Sequence, residues 1–560
     1  MLIAPLPAAL LLIAIVICPA AAVASTAVEA RHGMVVTSQH IASEVGAGVL
    51  AAGGNAIDAA VAVGYALAVV DPCCGNIGGG GFMTIHLATG RETFINFRET
   101  APAAATAGMY LDPAGKPIAD LSRYGWRSIG VPGTVMGLDR ALREYGSLPR
   151  AAVMAPAIAL ARDGFELRGS DAELLAAKAD RFGRDPAAAK IFLRPDGSHF
   201  QPGDRLVQKD LAATLEAIAQ KGPDAFYKGP VAAAVGRASR ANGGILTARD
   251  FADYTVTEGP PLTCSYRSYT IVSAPPPSSG GVTICEILNI LEGYDMKALG
   301  IHSARSTQLM LEAMRRGYSD RNTYLGDPAV ITNPLDRLLS KGYAAGIRAA
   351  IGGGEVRPST PLAVVHEKAE TTHYSIVDAA GNAVSVTYTL NGYFGAEVIA
   401  PGTGFFLNNE MDDFTTQPGA PNLYGLVQGA ADAIAPGKRP LSSMAPTLVE
   451  KDGRVLLVLG SPGGSRIITT VLETIMNIVD YGMGPQEAVD MPRFHYQGLP
   501  DKVFCEPSAL SPDTIGTLSA MGYKFAEQKP WGAVELIEID DGRLWGANDP
   551  RRPDGAAIGY

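Results

Sequence analysis

The sequence predicts a protein of the α+β class, in which helices and strands share one chain. Its first half alternates helical and strand-like segments and contains an alanine-rich helical stretch between residues 140 and 260. Its last third contains two strand-like runs, residues 373–378 and 383–390, in which β-branched and polar residues alternate. Because a repeat of 3.6 residues indicates a helix and a repeat of two indicates a strand, both kinds of element are expected.

The individual elements follow from the same periodicities and from flanking glycine and proline residues. We expect helices over residues 38–52, 56–70, 150–162, 171–181, 209–221, 230–242, 282–291, 307–321, 338–351 and 467–481. We expect strands over residues 82–87, 93–97, 373–378, 383–390 and 455–459. The run Gly78–Gly81 lacks the G-K-[ST] continuation of a phosphate loop, so it favours close backbone packing instead.

The two strand-like runs predict a β-hairpin with a defined register. The three residues Ala379-Ala380-Gly381 connect them, and a loop of this length prefers glycine at its last, left-handed position. This register places Thr389 opposite Thr371. A threonine hydroxyl becomes a useful nucleophile when a free α-amine, which titrates near pH ~7.7–8.0, acts as its base. That chemistry requires the chain to be cut before Thr371, and the alternative is a polar strand with ordinary threonines.

The first 24 residues predict that the protein is exported from the cytoplasm. Residues 1–24 contain no charged side chain, and the apolar run Ala8–Ile17 is too short for a standard transmembrane helix. The small residues Ala22-Val23-Ala24 are typical of a signal-peptidase site, so we expect cleavage after Ala24 and a periplasmic or secreted protein. An uncleaved anchor is the alternative.

The net charge and the cysteine and histidine residues argue against several classes of function. The net charge of −10 indicates a soluble protein without a nucleic-acid partner. The six cysteines fit no zinc motif, and five remain after removal of residues 1–24, so we expect no disulfide framework. The eight histidines are scattered without an H-E-x-x-H motif, and we therefore expect no catalytic metal and no cofactor.

Three polar segments are candidates for binding or catalysis. Arg98 ends a strand and is either a surface ion-pair residue or a fork for a substrate carboxylate. The acidic stretch Asn408–Phe414 could be a turn, a calcium loop or a site for an ammonium group, although it lacks the glycine of a calcium loop. The turn Gly460–Arg466 between a strand and a helix suits an oxyanion or is simply a tight structural turn.

Together these segments resemble the γ-glutamyltransferase family of N-terminal nucleophile hydrolases. The similarity extends from about His32 to Tyr560, and the motifs appear in the family's order. They are Gly75–Phe82, Phe97–Glu99, Pro275–Gly281, Thr371–Ser375, Asn408–Phe414, Pro440–Met444 and Gly460–Arg466.

The resemblance implies a four-layer αββα sandwich that forms from a self-cleaved precursor. Cleavage between Glu370 and Thr371 would give a large subunit, residues 25–370, and a small subunit, residues 371–560, which remain together as a heterodimer. The expected reaction is the hydrolysis or transfer of the γ-glutamyl group of glutathione and related compounds. Water, an amino acid or a dipeptide would be the acceptor.

The resemblance also assigns roles to individual residues, carried over motif by motif. Thr371 would be the nucleophile, its new α-amine the base and Thr389 the supporting hydroxyl. Gly463 and Gly464 would donate hydrogen bonds to the oxyanion. The α-carboxylate of the substrate would be bound by Arg98, Ser442 and Ser443. Its α-ammonium would be bound by Asn391, Glu410 and Asp413. Tyr424 would be the lid residue that covers the site.

The sequence departs from the family pattern at two places, and two alternative functions are left open beside the resemblance. Position 410 is Glu where some members of the family have Gln. The stretch Pro530–Glu535 departs from the small, polar pattern usual there, which bears on the preference for acceptor or substrate. One alternative is an acylase for β-lactam side chains such as glutaryl groups, against which the retained ammonium site argues. The other is an uncleaved extracytoplasmic binding protein for γ-glutamyl peptides, against which the intact Thr371 and Thr389 argue.

Overall fold

A computed structural model describes residues 26–351 and 371–560, and its centre is formed by two seven-stranded antiparallel sheets. The first sheet contains, in spatial order, β1 (Val28–Ala30), β18 (Arg543–Asn548), β17 (Glu535–Asp540), β13 (Arg454–Leu459), β12 (Thr447–Lys451), β9 (Tyr269–Ser273) and β8 (Leu262–Tyr266). The second contains β19 (Ala556–Gly559), β2 (Gly33–Thr37), β10 (Thr372–Asp378), β11 (Ala383–Thr389), β3 (Gly80–His86), β4 (Glu92–Asn96) and β7 (Thr257–Gly259). The predicted signal peptide and Glu370 lie outside the described residues.

Helices cover the outer faces of both sheets. The second sheet packs in one apolar cluster with α1 (His40–Ala51), α2 (Ala56–Val70), α3 (Thr134–Tyr145), α4 (Arg150–Asp163), α5 (Gly169–Ala176), α6 (Ala179–Phe182), α7 (Pro186–Phe192), α8 (Lys209–Lys221), α9 (Asp224–Tyr227), α10 (Pro230–Ala241) and α11 (Ala248–Asp253). The first sheet packs with α12 (Gly280–Leu291), α13 (Met296–Leu299), α14 (Ala304–Tyr324), α15 (Leu335–Leu338), α16 (Lys341–Ile351), α17 (Ile467–Val479), α18 (Pro485–Asp490) and α19 (Pro512–Ala520).

The facing sides of the two sheets enclose a separate apolar core. Met34 and Val377 from the second sheet meet Leu448, Val458 and Ile537 from the first sheet. The order of layers is therefore helix, sheet, sheet, helix, which confirms the predicted α+β class and the αββα sandwich.

The remaining elements are short. Two small sheets are formed by β14 (Phe494–His495), β15 (Val503–Cys505) and β16 (Phe525–Glu527), and by β5 (Phe165–Glu166) with β6 (Arg205–Leu206). Single 3₁₀ turns occupy Glu410–Asp413, Ala430–Asp432 and Gly464–Arg466. Within residues 26–351 and 371–560, no helix has both the length and the apolar character needed to cross a membrane.

The predicted hairpin is confirmed, including its register. Strands β10 and β11 occupy adjacent positions in the second sheet and pair Thr372 with Tyr388 and Ser375 with Ser385. Gly381 has a φ of 91°, and the Asp378 amide donates to the Asn382 carbonyl at 3.1 Å. A three-residue loop with a left-handed last residue thus sets the pairing, as the sequence predicted.

Two predicted helices are each broken into two. The predicted helix 171–181 is divided between α5 and α6, and the predicted helix 338–351 begins one turn earlier as α15 before it continues as α16. In the first case Lys178 leaves helical geometry with a ψ of 2°, and its Nζ reaches the buried carboxylate of Glu397 at 2.6 Å. Tertiary contacts of this kind cannot be inferred from local periodicity.

The expectation of no disulfides is wrong. Cys264 on β8 is bonded to Cys285 on α12, and the neighbouring Cys73 and Cys74 are also bonded to each other. The strand and the helix pack directly, which brings the α-carbons of Cys264 and Cys285 to 6.0 Å, within the usual range for a disulfide. An odd number of cysteines did not exclude pairing, since Cys505 is left as a buried free thiol.

Candidate active site

The two threonines of the predicted site lie side by side. Thr371 immediately precedes β10, and Thr389 is the last residue of β11. The Thr371 hydroxyl donates to the Thr389 hydroxyl oxygen at 3.3 Å, and both side chains are buried. Thr389 Oγ1 also accepts from the Asn391 amide at 2.9 Å, which fixes its rotamer. The hairpin register therefore delivers two hydroxyl groups to one point.

The glycine run beside this hairpin is required by close packing. Gly79 and Gly81 lie against the backbone of β11, where an added Cβ would stand 1.9 Å from the Thr389 carbonyl oxygen and 2.4 Å from the Thr387 carbonyl oxygen. Any side chain at these positions would push β11 away from β3. The predicted packing role of Gly78–Gly81 is thus confirmed, and it holds the strand that carries Thr389.

A glycine turn forms another wall of the site. Strand β13 ends at Leu459, and Gly463 and Gly464 have φ values of 142° and 54° before the chain enters α17. Both values lie in the region that favours glycine. A Cβ on Gly464 would stand 2.4 Å from the ring of Tyr424, so the turn and this tyrosine are in direct contact.

Tyr424 connects this turn to the end of the hairpin. Its hydroxyl donates to the Asn391 carbonyl oxygen at 2.6 Å, and its side chain is buried. Asn391 itself has a φ of 74°, a conformation that asparagine tolerates better than most residues. Its side-chain amide donates to the Asn409 carbonyl at 3.0 Å.

Arg98 is fully buried, so the interpretation of a surface ion pair is wrong. Its guanidinium forms ion pairs with Glu410 and with Asp413, the latter at 2.5 Å, and its Nε donates to the Pro440 carbonyl at 3.3 Å. The residues expected to bind opposite ends of a substrate zwitterion are therefore paired with each other.

A third carboxyl group, Glu99, completes this charged cluster. It is fully buried, and one of its oxygens lies 3.6 Å from Arg98 Nη1. Burial raises the pKa of Glu99 to about 7, although Arg98 opposes the shift. Burial likewise raises the pKa of Glu410 well above its usual range, again against the pull of Arg98. One arginine therefore faces three carboxyl groups, and the cluster is arranged to hold a proton or a cation.

Arg321 is a residue of the site that the sequence analysis did not identify. It extends from α14 into the site and is 1% exposed. Its guanidinium donates to Ser443 Oγ at 3.1 Å, to Ser279 Oγ at 2.9 Å and to Gln428 Oε1 at 2.7 Å. The only sequence signal was an arginine within the predicted amphipathic helix 307–321, which is equally typical of a solvent-facing position.

The predicted residues surround one small cavity of about 20 Å³. Ten of the eleven line it, namely Arg98, Thr371, Thr389, Asn391, Glu410, Asp413, Tyr424, Ser442, Ser443 and Gly464. Gly463 is the exception, although it adjoins Gly464 in the same turn. The cavity has room for a water molecule, so a larger occupant requires its side chains to move.

The chemistry available at this point defines a class of protein. A buried threonine at the start of a central hairpin, with a second hydroxyl, a glycine turn and charged groups of both signs around it, is the arrangement of an N-terminal nucleophile hydrolase. Comparisons with known proteins specify the family. A sequence model described as gamma-glutamyltranspeptidase matches residues 42–559.

Individual relatives agree with this assignment. The glutathione hydrolase proenzyme of Pseudomonas sp. (strain A14) is 56% identical over 549 residues, which cover 95% of each chain. The glutathione hydrolase proenzyme of Escherichia coli (strain K12) is 47% identical over 538 residues, which cover 95% of this chain and 93% of the relative. Among solved structures, a cephalosporin acylase from Bacillus halodurans superposes with a TM-score of 0.84 at 28% identity and covers 96% of this chain and 97% of its own.

The chain belongs to the gamma-glutamyltranspeptidase family. It is therefore an enzyme, and the hypothesis of a binding protein without catalytic activity is wrong. The predicted resemblance is confirmed over nearly the whole described chain.

Proposed function

We propose that this enzyme breaks the γ-glutamyl amide bond of glutathione and related compounds, with Thr371 as the nucleophile. The observation that carries the proposal is the 3.3 Å contact between the hydroxyl groups of Thr371 and Thr389 at the wall of a cavity that holds Arg98 and two carboxylates. The names of the relatives support glutathione as the substrate class. Water, an amino acid or a dipeptide receives the γ-glutamyl group.

Maturation is the first step of the proposed mechanism. The chain is cut between Glu370 and Thr371, which yields a large subunit, residues 25–370, and a small subunit, residues 371–560, held together as a heterodimer. The word proenzyme in the names of both relatives supports this step. Cleavage frees the α-amine of Thr371, whose pKa near 8 suits a general base at neutral pH.

Thr371 then acts through its own amine. The amine removes the hydroxyl proton as Oγ1 attacks the γ-carbonyl carbon, and it passes that proton to the departing amine when the amide bond breaks. His373 does not compete for this role, because burial lowers its pKa to about 3 and its ring nitrogens contact the hydroxyls of Thr387 and Ser375. Thr389 orients the nucleophile.

The negative charge of the tetrahedral intermediate falls on the former carbonyl oxygen. The backbone amides of Gly463 and Gly464 are the proposed donors to it, and loss of one such donor typically costs ~2.7–4 kcal/mol of transition-state stabilisation. Collapse of the intermediate leaves a γ-glutamyl ester on Thr371. The acceptor attacks this ester by the same steps in reverse order.

When the substrate binds, ion pairs between protein side chains are replaced by ion pairs between the protein and the substrate. In the described structure Arg98 pairs with Glu410 and Asp413. An entering γ-glutamyl group brings one carboxylate and one ammonium, so Arg98, Ser442 and Ser443 turn to the carboxylate while Asn391, Glu410 and Asp413 turn to the ammonium. The γ-glutamyl group adds one charge of each sign, so the net charge of the site is unchanged and each added charge meets a partner of opposite sign. Tyr424 closes over the occupied site.

The alternative function, an acylase, would use the same chemistry and would differ in the acyl group of its substrate. The similarity to a cephalosporin acylase keeps it open as a substrate question. A glutaryl group lacks the α-ammonium, however, and would leave Glu410 and Asp413 competing for Arg98 with the incoming carboxylate. The pairing of Arg98 with both carboxylates therefore favours a γ-glutamyl substrate.

The proposed location of the enzyme rests on residues 1–24. Their uncharged, apolar character and the small residues Ala22-Val23-Ala24 at their end support export to the periplasm or the medium, with cleavage after Ala24.

The test compares wild-type enzyme with Thr371→Ala by intact mass and by release of aniline from γ-glutamyl and glutaryl anilides. We expect the wild type to contain two chains, the smaller beginning at Thr371, and to prefer the γ-glutamyl substrate. Thr371→Ala should remain one inactive chain. A Thr371→Ala protein that still splits at this position would refute the proposed nucleophile, and a preference for the glutaryl anilide would favour the acylase.

A further inference from the structure

A second polar cluster lies at the edge where the two sheets face each other, outside the cavity beside Thr371. His86 is the last residue of β3, Glu92 is the first residue of β4 directly opposite it, and Glu450 is on β12 of the other sheet. Side chains alternate along a strand, so His86 shares a face with Thr84, whose hydroxyl donates to the Pro446 carbonyl beside β12. All three side chains thus converge between the sheets.

The donor atoms of these residues are close together. Nδ1 of His86 lies 3.0 Å from an oxygen of Glu450 and 3.7 Å from an oxygen of Glu92, and the three atoms are all within 4.8 Å of one another. Two ligand atoms on a tetrahedral zinc ion with bonds of 2.0–2.1 Å are roughly 3.3 Å apart. The observed spacings bracket that distance.

The cluster is not neutralised by other charges. Among residues 26–351 and 371–560, His86 is the sole cationic side chain within salt-bridge distance of either carboxylate. The neighbouring Arg91 pairs with Glu258, and the Lys451 ammonium lies over the ring of Tyr269. Within the described residues the three groups therefore have only one another as charged partners, at a largely buried position.

Two of the donor atoms have no hydrogen bond of acceptable geometry. Nδ1 of His86 and Oε1 of Glu92 are both buried and form no hydrogen bond of good geometry within the described part of the chain, so their contacts there are the ion pairs with each other and, for Nδ1, with Glu450. Buried polar atoms normally have a partner, and a shared cation would satisfy both at once. The side chains are 12%, 21% and 15% exposed for His86, Glu92 and Glu450, so an ion can reach the cluster from solvent.

We propose that His86, Glu92 and Glu450 bind one divalent transition-metal ion of the Zn²⁺ type. One imidazole and two carboxylates form a donor set that suits zinc better than calcium, which prefers six to eight oxygen ligands. The three protein ligands leave a fourth position for water. The cluster lies outside the cavity beside Thr371, so the effect of the ion is on stability.

The position of the three ligands predicts that the ion links the two subunits. His86 and Glu92 belong to the proposed large subunit and Glu450 to the proposed small subunit, so the ion connects the two chains after cleavage. This consequence rests on the proposed function, whereas the metal site itself does not.

The test is titration of chelator-treated full-length enzyme with ZnCl₂ by isothermal titration calorimetry, in both the wild type and the uncleaved Thr371→Ala variant. We expect one Zn²⁺ per heterodimer in the wild type, one Zn²⁺ per uncleaved chain in Thr371→Ala, and no comparable heat from CaCl₂ in either protein. Saturation should raise the midpoint of thermal unfolding by about 2 °C. Because both proteins are titrated, failure of the metal site and failure of the cleavage are distinguishable.

The variants Glu92→Gln, Glu450→Gln and His86→Gln should each bind Zn²⁺ at least tenfold more weakly while they retain γ-glutamyl anilide hydrolysis, which shows that they are folded. The matched control is Glu292→Gln, whose carboxylate is partnered by Lys341 at 2.6 Å on the surface and which should bind Zn²⁺ like the wild type. Absence of stoichiometric Zn²⁺ binding, or binding that all three variants leave unchanged, overturns the proposal.

Discussion

The hydroxyl groups of Thr371 and Thr389 lie 3.3 Å apart because two strands of a hairpin are paired in one register. A shift of one residue would turn Thr389 to the opposite face of the sheet and separate the pair. The proposed catalytic geometry is therefore set by the three-residue loop, Ala379-Ala380-Gly381, at the far end of the same hairpin.

The first prediction concerns the partner hydroxyl. Thr389→Val keeps the shape of the side chain but removes the hydroxyl that accepts from Thr371 and from the Asn391 amide. We expect both self-cleavage and γ-glutamyl anilide hydrolysis to slow by about 100-fold or more, the size typical of a lost acid–base or orienting group. The measurement is the rate of chain splitting by electrophoresis and kcat by anilide release. Thr389→Ser, which retains the hydroxyl, should stay within a few fold of wild type, and equal defects in both variants would contradict the assigned role.

The second prediction concerns Tyr424, the proposed lid residue. Tyr424→Phe retains the ring against Gly464 but removes the 2.6 Å hydrogen bond to the Asn391 carbonyl. A hydrogen bond of this kind contributes ~0.5–1.5 kcal/mol, so KM for a γ-glutamyl donor should rise by about 2- to 10-fold. We expect kcat to change less, because the reacting atoms are untouched. Steady-state kinetics measure both values.

Tyr343→Phe is the matched control for this variant. It loses a hydroxyl that donates to Asp320 at 2.6 Å on α14, outside the residues that line the cavity. Its KM should equal that of the wild type. A similar rise in both variants would mean that Tyr424 acts through general stability and not by closing over the donor.

The parts of the site that the sequence predicted are those that short stretches determine. The hairpin register follows from Gly381 and from alternating residues within about twenty positions, so local rules sufficed. The glycine turn before α17 and the packing of Gly78–Gly81 are also visible locally. Of the eleven residues that the family resemblance assigned to the site, all but Gly463 line one cavity.

The parts that sequence reasoning missed depend on contacts between distant segments. Arg98 meets Asp413 and Glu410 only because β4 ends beside the 3₁₀ turn of Glu410–Asp413, and nothing near Arg98 in the sequence indicates burial. Arg321 reaches Ser443 in the same way, from α14, across a sequence separation of 122 residues. Disulfide partners are likewise set by the packing of β8 on α12, which spacing cannot reveal.

The third prediction tests Arg321. Arg321→Lys keeps the positive charge but cannot reproduce the three directed contacts to Ser279, Ser443 and Gln428. Loss of hydrogen bonds to a buried charged group should lower the free energy of unfolding by about 2 kcal/mol, and KM for the donor should rise because Ser443 is no longer held. Chemical denaturation and steady-state kinetics measure the two effects. Arg305→Lys, on the exposed side of the same helix, should change neither quantity. An unchanged KM in Arg321→Lys would limit its role to stability.

The last prediction follows from the buried carboxyl group of Glu99. Burial raises its pKa to about 7 in the folded enzyme, whereas an unfolded glutamate titrates near ~4.3. The folded state therefore holds this proton more tightly, and the stability it confers is fully present below pH ~4.3 and is lost as the pH rises toward about 7.

Glu99→Gln stays neutral at every pH and should not show that loss. We expect the difference in thermal unfolding midpoint, Glu99→Gln minus wild type, to increase as the pH is raised from about 4.5 to about 7.5 and to stay constant above that range. Thermal scans at half-unit pH steps measure the difference, and subtraction of the wild type cancels the titration of other groups. Glu144→Gln, which removes a surface carboxylate, is the control and should run parallel to the wild type. A constant difference between Glu99→Gln and the wild type across this range would mean that Glu99 is already ionised beside Arg98 at low pH.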